Sequence, residues 1–274
     1  MTNPLSQYFR QPSIYIKLPS GGQFYPPGAL DMPPNGELPI LPMTAVDEIT
    51  YRTPDALYNG VATVDVIRSC VPNIKDPWRI PSCDIDTILT AIRIASFGHE
   101  MAIDSTCPEC KSEEKHALDL RTVIDRISKV DFATPVENGD LVIYFQPMDY
   151  QQVNANSAIR FEEQRLIALL PNTEIEQGEK NRMIGEAFKK ITDLSLVALS
   201  CGIRSINTPT AQVTDNANIL EFLHNCDRTL FESLKDRILD LKKSTEIQPL
   251  QIACSECSHE YQQSFTLDMT NFFG

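Results

Sequence analysis

Apolar positions along this chain change their period several times, and each change predicts an element. Ser13-Ile14-Tyr15-Ile16-Lys17-Leu18 alternates at a period of two, the mark of a short strand. From Met43 the spacing becomes helical. Thr44 is placed to cap a helix through Asp47-Glu48-Ile49 that ends near Thr53-Pro54, and Val61, Val64, Ile67 and Val71 recur one turn apart until Pro72. A clearer helix follows, with Asp84 as its expected N-cap, Ile85, Ile88, Leu89, Ile92 and Ala95 on one face, and Gly98 where a left-handed closing residue is wanted. Asp84 and Asp86 could be imagined as a catalytic carboxylate pair, but capping and a favourable first-turn charge explain both. Trp78, the sole tryptophan, stands in the rigid loop Lys75-Asp76-Pro77-Trp78-Arg79-Ile80-Pro81, where a ring of that size is expected to anchor a core.

Further along, Asn138-Gly139 predicts a tight turn and Leu141-Val142-Ile143-Tyr144-Phe145 the strand that leaves it. The pattern then stays helical. A run extends from about Tyr150 to Leu170, and Met183, Ile184, Ala187, Phe188, Ile191, Leu194, Val197 and Ala198 form a long stripe closed by Gly202. Ile219, Phe222, Leu223 and Cys226 mark one more amphipathic helix, and Leu230, Phe231, Leu234, Ile238 and Leu241 another. Single helices of this length are marginal in water, so they need each other's apolar faces. Residues 121–249 read as a hairpin plus a helical insertion with a core of at least three helices.

Two short alternating segments, Met101-Ala102-Ile103-Asp104 and Leu250-Gln251-Ile252-Ala253, lead into matching turns: Cys107-Pro108-Glu109-Cys110 and Cys254-Ser255-Glu256-Cys257. A further segment follows each turn and ends in Leu118-Asp119-Leu120 or Leu267-Asp268-Met269. Each copy reads as strand, turn, strand. A C-x-x-C turn presents two sulfurs to one tetrahedral ion at about 2.3 Å, and two such turns fill all four positions. The expected occupant is one structural Zn2+ held by Cys107, Cys110, Cys254 and Cys257, with no position left for a catalytic water. Two hairpins facing each other across that ion form a zinc-ribbon-like module. The competing readings are metal-free thiols, disulfides, or a thioredoxin-type redox pair, and the last is disfavoured because no βαβ pattern surrounds either copy. His116 and His259 could stand in as ligands, although four cysteines need neither. The 143 residues between the two turns are tolerable because loop-closure entropy grows only with the logarithm of length.

Composition changes the picture at the start of the chain. Nine of the 19 prolines fall within residues 1–42, together with Gly21-Gly22, Gly28 and Asn35-Gly36, so helix is not expected there and an extended arm with short strands is. Its aromatic residues Tyr8, Phe9, Tyr15, Phe24 and Tyr25 need a surface to cover, either their own domain or a neighbouring subunit. At 274 residues with 42% hydrophobic and 22% charged residues, the chain has the profile of an ordinary globular protein able to bury a sizeable core. No segment approaches the length of a membrane span and the opening residues do not read as a signal peptide, so neither secretion nor membrane insertion is expected. Eight cysteines then fit a reducing compartment, with Cys70, Cys83, Cys201 and Cys226 acting as small core residues.

Charge bears on partners. Only 24 basic residues face 37 acidic ones, a net charge of -13, and Glu109, Glu113, Glu114, Glu256 and Glu260 crowd the cysteine turns against Lys111 and Lys115. Nucleic-acid affinity comes largely from Lys and Arg on phosphates, so nucleic acid is an unlikely partner even though many zinc ribbons bind it. Enzymatic signatures are also missing: no phosphate loop, no H-E-x-x-H, no G-x-S-x-G, and only four histidines for general-base work. No catalytic residue is assigned.

Several ordered segments carry a resemblance. They are Leu18-Pro19-Ser20-Gly21-Gly22-Gln23-Phe24-Tyr25-Pro26, Leu41-Pro42-Met43-Thr44-Ala45-Val46-Asp47-Glu48-Ile49, Thr53-Pro54-Asp55-Ala56-Leu57 and Ser69-Cys70-Val71-Pro72. Asp76-Pro77-Trp78 and Asp84-Ile85-Asp86-Thr87-Ile88-Leu89, running into Ile92-Arg93-Ile94-Ala95, continue the series. Over roughly residues 14 to 110 the chain resembles the baseplate hub proteins of T4-like contractile-tailed bacteriophages. The resemblance implies a virion protein of the tail baseplate, present in the host cytoplasm during assembly, that acts as hub component or hub-assembly chaperone. Its implied partners are other baseplate or hub proteins and further copies of itself. The second reading, from a different class, is a zinc-ribbon transcription-type factor.

The expected fold class is α+β and predominantly helical. Residues 1–43 form a short-stranded, proline-rich arm, 44–106 a small helical region, 107–120 with 250–274 the zinc-ribbon-like module, and 121–249 the large insertion between its halves.

Overall fold

The computed structural model describes residues 4–51, 60–126, 130–169, 176–245 and 249–263. They form a mixed α/β protein of two compact units. One comprises Met1–Pro77, Cys83–Val130 and Ser244–Gly274, the other Trp78–Ser82 and Asp131–Lys243.

In the first unit, strands β1 (Ile14–Ile16) and β2 (Leu38–Ile40) pair antiparallel, with Ile14 opposite Ile40 and Ile16 opposite Leu38. Alternation decides the faces: Ile16, Leu38 and Ile40 are buried, while Tyr15 points outward. Pro39 is tolerated because a two-stranded ribbon is all edge. The loop between the strands folds back on residues 71–76, where Asp31 N–H donates to Asn73 O at 2.8 Å and Lys75 N–H to Ala29 O at 2.8 Å. Gly22 has φ of +77°, and a Cβ there would stand 2.6 Å from Met32 Cε. The proline-rich segment from Ile14 to Ile40 thus lies against its own unit.

Helix α1 (Ala45–Tyr51) opens on a capping box, with Asp47 N–H donating to Thr44 Oγ1 at 3.2 Å and Thr44 N–H to Asp47 Oδ2 at 2.7 Å. The expected end near Thr53-Pro54 lies outside the described residues. Arg10 joins this cap to the next helix, reaching Asp47 Oδ2 at 3.2 Å, Ser69 O at 2.8 Å and Ser69 Oγ at 2.7 Å. Burial would raise the Asp47 pKa, but the hydrogen bonds from Thr44 and Ser69 and the Arg10 charge hold it below the usual value. Helices α2 (Val61–Cys70) and α3 (Ser82–Phe97) both face the core, burying Val64, Val66 and Ile67 from one and Ile88, Leu89 and Ile92 from the other. Gly98 closes α3 with φ of +86° and donates to Ile94 O at 3.0 Å, and the short α4 (Leu120–Arg126) follows later in this unit.

Asp84 corrects one expectation. The helix begins at Ser82, so Asp84 lies inside the first turn and is not the N-cap. Its carboxylate, 0% exposed, instead accepts from Ser20 N–H at 2.8 Å, Ser20 Oγ at 2.6 Å and Tyr25 OH at 2.9 Å. These bonds fasten the loop Leu18–Tyr25 to α3. Burial pushes the Asp84 pKa up although all of these donors favour the anion.

The second unit is built on an antiparallel meander of β5 (Val136–Asn138), β6 (Leu141–Phe145), β7 (Ile203–Asn207) and β8 (Gln212–Val213). Asn138 pairs with Leu141, so the turn residues are Gly139 and Asp140, one position later than the pattern predicts. Glycine with φ of +59° in the first turn position, followed by a residue of negative φ, is the type II′ arrangement. Ile143, Phe145, Ile203 and Ile206 are buried. Strands β7 and β8 were not predicted, and the core is sheet and helix together. Helices α5 (Tyr150–Leu169) and α6 (Gln177–Cys201) form a long hairpin, and α7 (Asn216–Asn225) and α8 (Arg228–Lys243) bury Ile219, Leu223, Leu230, Leu234 and Leu241. Trp78 stacks on Tyr150 with ring centroids 5.8 Å apart.

Candidate metal centre

Two hairpins of the first unit carry the centre. Strands β3 (Glu100–Thr106) and β4 (Glu113–Asp119) pair from Glu100 opposite Asp119 to Thr106 opposite Glu113, and β9 (Leu250–Ala253) pairs with β10 (Glu260–Gln263) from Leu250 opposite Gln263 to Ala253 opposite Glu260. The Leu267-Asp268-Met269 triplet lies outside the described residues.

The turns between the strands repeat one local design. Cys107 N–H donates to Ser112 O at 2.9 Å and Lys111 N–H to Cys107 O at 3.0 Å; Cys254 N–H donates to His259 O at 3.0 Å and Ser258 N–H to Cys254 O at 2.9 Å. The residue after each second cysteine adopts positive φ, +62° at Lys111 and +59° at Ser258. Neither is glycine, so each turn accepts roughly 1–2 kcal/mol of backbone strain to curl both sulfurs inward. The first cysteine of each pair is buried and the second exposed.

All four sulfurs lie within 4.8 Å of one another, with Cys107 Sγ 3.7 Å from Cys257 Sγ and Cys110 Sγ 3.5 Å from Cys254 Sγ. A regular tetrahedron with bonds of about 2.3 Å has edges of about 3.8 Å, so the sulfurs fit around one ion. Four soft thiolates suit zinc or another thiophilic metal and leave no open position. None of the eight cysteines forms a disulfide, and His116 and His259 lie outside the sulfur cluster. The Cys110 thiol is pulled down to about 6, chiefly by hydrogen bonds from the Ser112 side chain and backbone. At Cys257 the His259 amide acts in the same direction, but desolvation and the neighbouring thiols push it up to about 12. Outside the centre, Cys70 is also pushed up to about 12, there by burial, as expected of an inert core thiol.

Polar neighbours that no cysteine motif reveals complete the site. Ser112 Oγ stands 3.2 Å from Cys110 Sγ and 3.3 Å from Cys254 Sγ, and Glu114 Oε1 accepts from Ser255 Oγ at 2.9 Å. Cys254 and Ser255 hold the Glu114 carboxyl below its ordinary pKa. The one sequence signal that could have found them is spacing: Glu114 and Tyr261 each stand four residues beyond the last cysteine of their turn.

A family model described as T4 bacteriophage base plate protein matches residues 15–274, a span that takes in all four cysteines and both units. The chain belongs to this family. Membership in a family of structural baseplate proteins gives the chain a structural role in the phage baseplate and a place in the virion tail, among other baseplate proteins. The family match runs well past the roughly 14–110 over which the resemblance was legible, through the helical region as well. No curated protein and no solved structure matches the chain. Among the described residues no helix is long and apolar enough to cross a membrane.

Proposed function

We propose that this baseplate protein works at the hub of a contractile tail, as a hub component or as the chaperone that assembles it, entirely through protein contacts and without catalysis. The observation that carries the reading is the family match over nearly the whole chain. Exposed apolar side chains at Tyr8, Phe9, Val46, Ile49 and Phe188 are available for such contacts. The protein is made in the host cytoplasm and reaches the tail baseplate by binding other hub proteins and copies of itself. In this reading residues 1–43 and 44–106 are contact regions, 107–120 with 250–274 is the ribbon, and 121–249 is its insertion.

One structural zinc ion, held by Cys107, Cys110, Cys254 and Cys257, fastens the ribbon halves. The sulfur geometry supports this assignment, and closed four-thiolate sites contribute to folding outright. The acidic surroundings of the turns weigh against nucleic acid as a partner.

Mass spectrometry and cryo-electron microscopy of purified particles test the role. Stoichiometric protein at the hub identifies a component, protein confined to assembly intermediates identifies a chaperone, and absence from both sinks the reading. Salt-sensitive binding to DNA or RNA would instead support the transcription-type reading. Elemental analysis should find one zinc per chain, and a chelator should lower the melting temperature and expose β9 and β10 to protease while helical circular dichroism persists. Unchanged melting after verified metal removal would count against a structural ion.

A further inference from the structure

The two halves of the centre are joined by more than their sulfurs. Glu114 on β4 and Tyr261 on β10 hold equivalent places after their cysteine turns, and each reaches into the other half. Glu114 Oε1 accepts from Ser255 N–H at 3.0 Å and Ser255 Oγ at 2.9 Å. The Tyr261 hydroxyl lies 2.7 Å from Ser105 Oγ. Ser105 has one hydroxyl proton and gives it to Gln263 Oε1 at 3.1 Å, so the phenol is the donor to Ser105. Ser105 is buried, which shields the Tyr261 crossing from competing water, whereas the Glu114 crossing ends on the exposed Ser255.

We propose that Glu114 and Tyr261 are positioning residues of the four-thiol centre, a reciprocal pair of clasps that set the distance and rotation between the two cysteine turns. This rests on the metal reading above. Each C-x-x-C turn fixes only the separation of its own two sulfurs. The remaining separations run between the halves, and groups that cross between them set those. Cys254 Sγ also donates to Glu114 Oε1 at 3.2 Å, so one oxygen ties Ser255 and a sulfur of the centre together. What the site takes from Glu114 is this geometry, which a neutral carboxamide oxygen also provides.

The test uses the full chain and Zn2+ alone, competed against a chromophoric chelator, with Co2+ absorption reporting the ligand set. Glu114→Ala and Tyr261→Phe should each weaken Zn2+ about tenfold or more, in the range found for groups that orient metal ligands. Glu114→Gln keeps an acceptor for Ser255 and should bind at least as tightly as the natural protein. Co2+ spectra and circular dichroism should stay unchanged in all three. Natural affinity in both Glu114→Ala and Tyr261→Phe overturns the proposal, and so does a Glu114→Gln variant as weak as Glu114→Ala.

A second measurement needs no metal. Diamide takes two hydrogens from two thiols, is itself reduced to the hydrazine, and leaves a disulfide that peptide mass spectrometry locates. In chelated protein, loss of either clasp should slow coupling of Cys107 with Cys257 and of Cys110 with Cys254 several-fold. If the natural protein takes up no zinc, the metal assignment falls and this rate alone decides: equal rates in both variants reject the clasps.

Discussion

Residues 14–42 contain only two three-residue strands yet bury Ile16, Leu18, Leu38 and Ile40, whereas α5 and α6, twenty and twenty-five residues long, bury only Glu163, Ala187, Leu199 and Ser200. Regularity and burial are separate properties. A helix satisfies its own backbone and can persist as one thin pair, while an irregular segment must find partners for its polar groups. The opening segment finds them in Asp84, Asn73 and Arg10. The helical hairpin carries an ion pair in its seam, Glu163 with Lys190 at 2.8 Å, and leaves Phe188 56% exposed.

The sharpest way to break this contrast is to remove apolar atoms from each side. Ile40→Ala should cost about 2–5 kcal/mol, read from denaturant unfolding, because the site is fully buried and collapses only partly. Asp84→Ala should cost about 1–3 kcal/mol by stranding the donors of Ser20 and Tyr25. Cooperative unfolding at natural stability in either variant would show that the segment only rests on its unit.

The two carboxylates that fasten this region answer pH with opposite signs. Asp47 is held below its ordinary value, so its contribution is complete above about pH 4 and is lost as pH falls through the depressed value. Asp84 is raised, so its contribution is complete below about pH 4 and declines as pH rises through the raised value. Stability measured from pH 2 to 7 should therefore lose part of its acid-side fall in Asp47→Asn and part of its decline above pH 4 in Asp84→Asn. Parallel curves for both variants would refute the assignment. At the small end, Phe188→Ala should change stability by no more than about 0.5 kcal/mol. Amide exchange should also be faster along α5 and α6 than along α3, and the reverse order would erase the contrast.

Much of the local structure was legible because its causes are local. Thr44 caps α1 and Gly98 closes α3 through bonds within a few residues, and the stripes of α2 and α3 face the core apart from Val61, which is exposed. The sulfur cluster could be read from two matching turns because metal geometry constrains spacing. Asp84 misled because its partners stand about sixty residues away, beyond any capping rule. Strand β7 was missed because it is short and follows Gly202 directly, where the helical stripe had set the expectation, and β8 because it is only two residues long. Glu114 carries no signal beyond its place four residues after Cys110; its meaning comes from a partner about 140 residues distant.

That separation has a consequence for how the protein is made. Cys110 emerges from the ribosome 144 residues before Cys254, a delay of about 7–30 seconds at typical synthesis rates. During that interval the first turn is an unpaired dithiol, and the whole stretch Asp131–Lys243 has time to fold. Joining the two turns is thus a late event in biogenesis, and a chain interrupted anywhere before the second turn is left with a dithiol that any quality-control thiol chemistry in the cell can recognise.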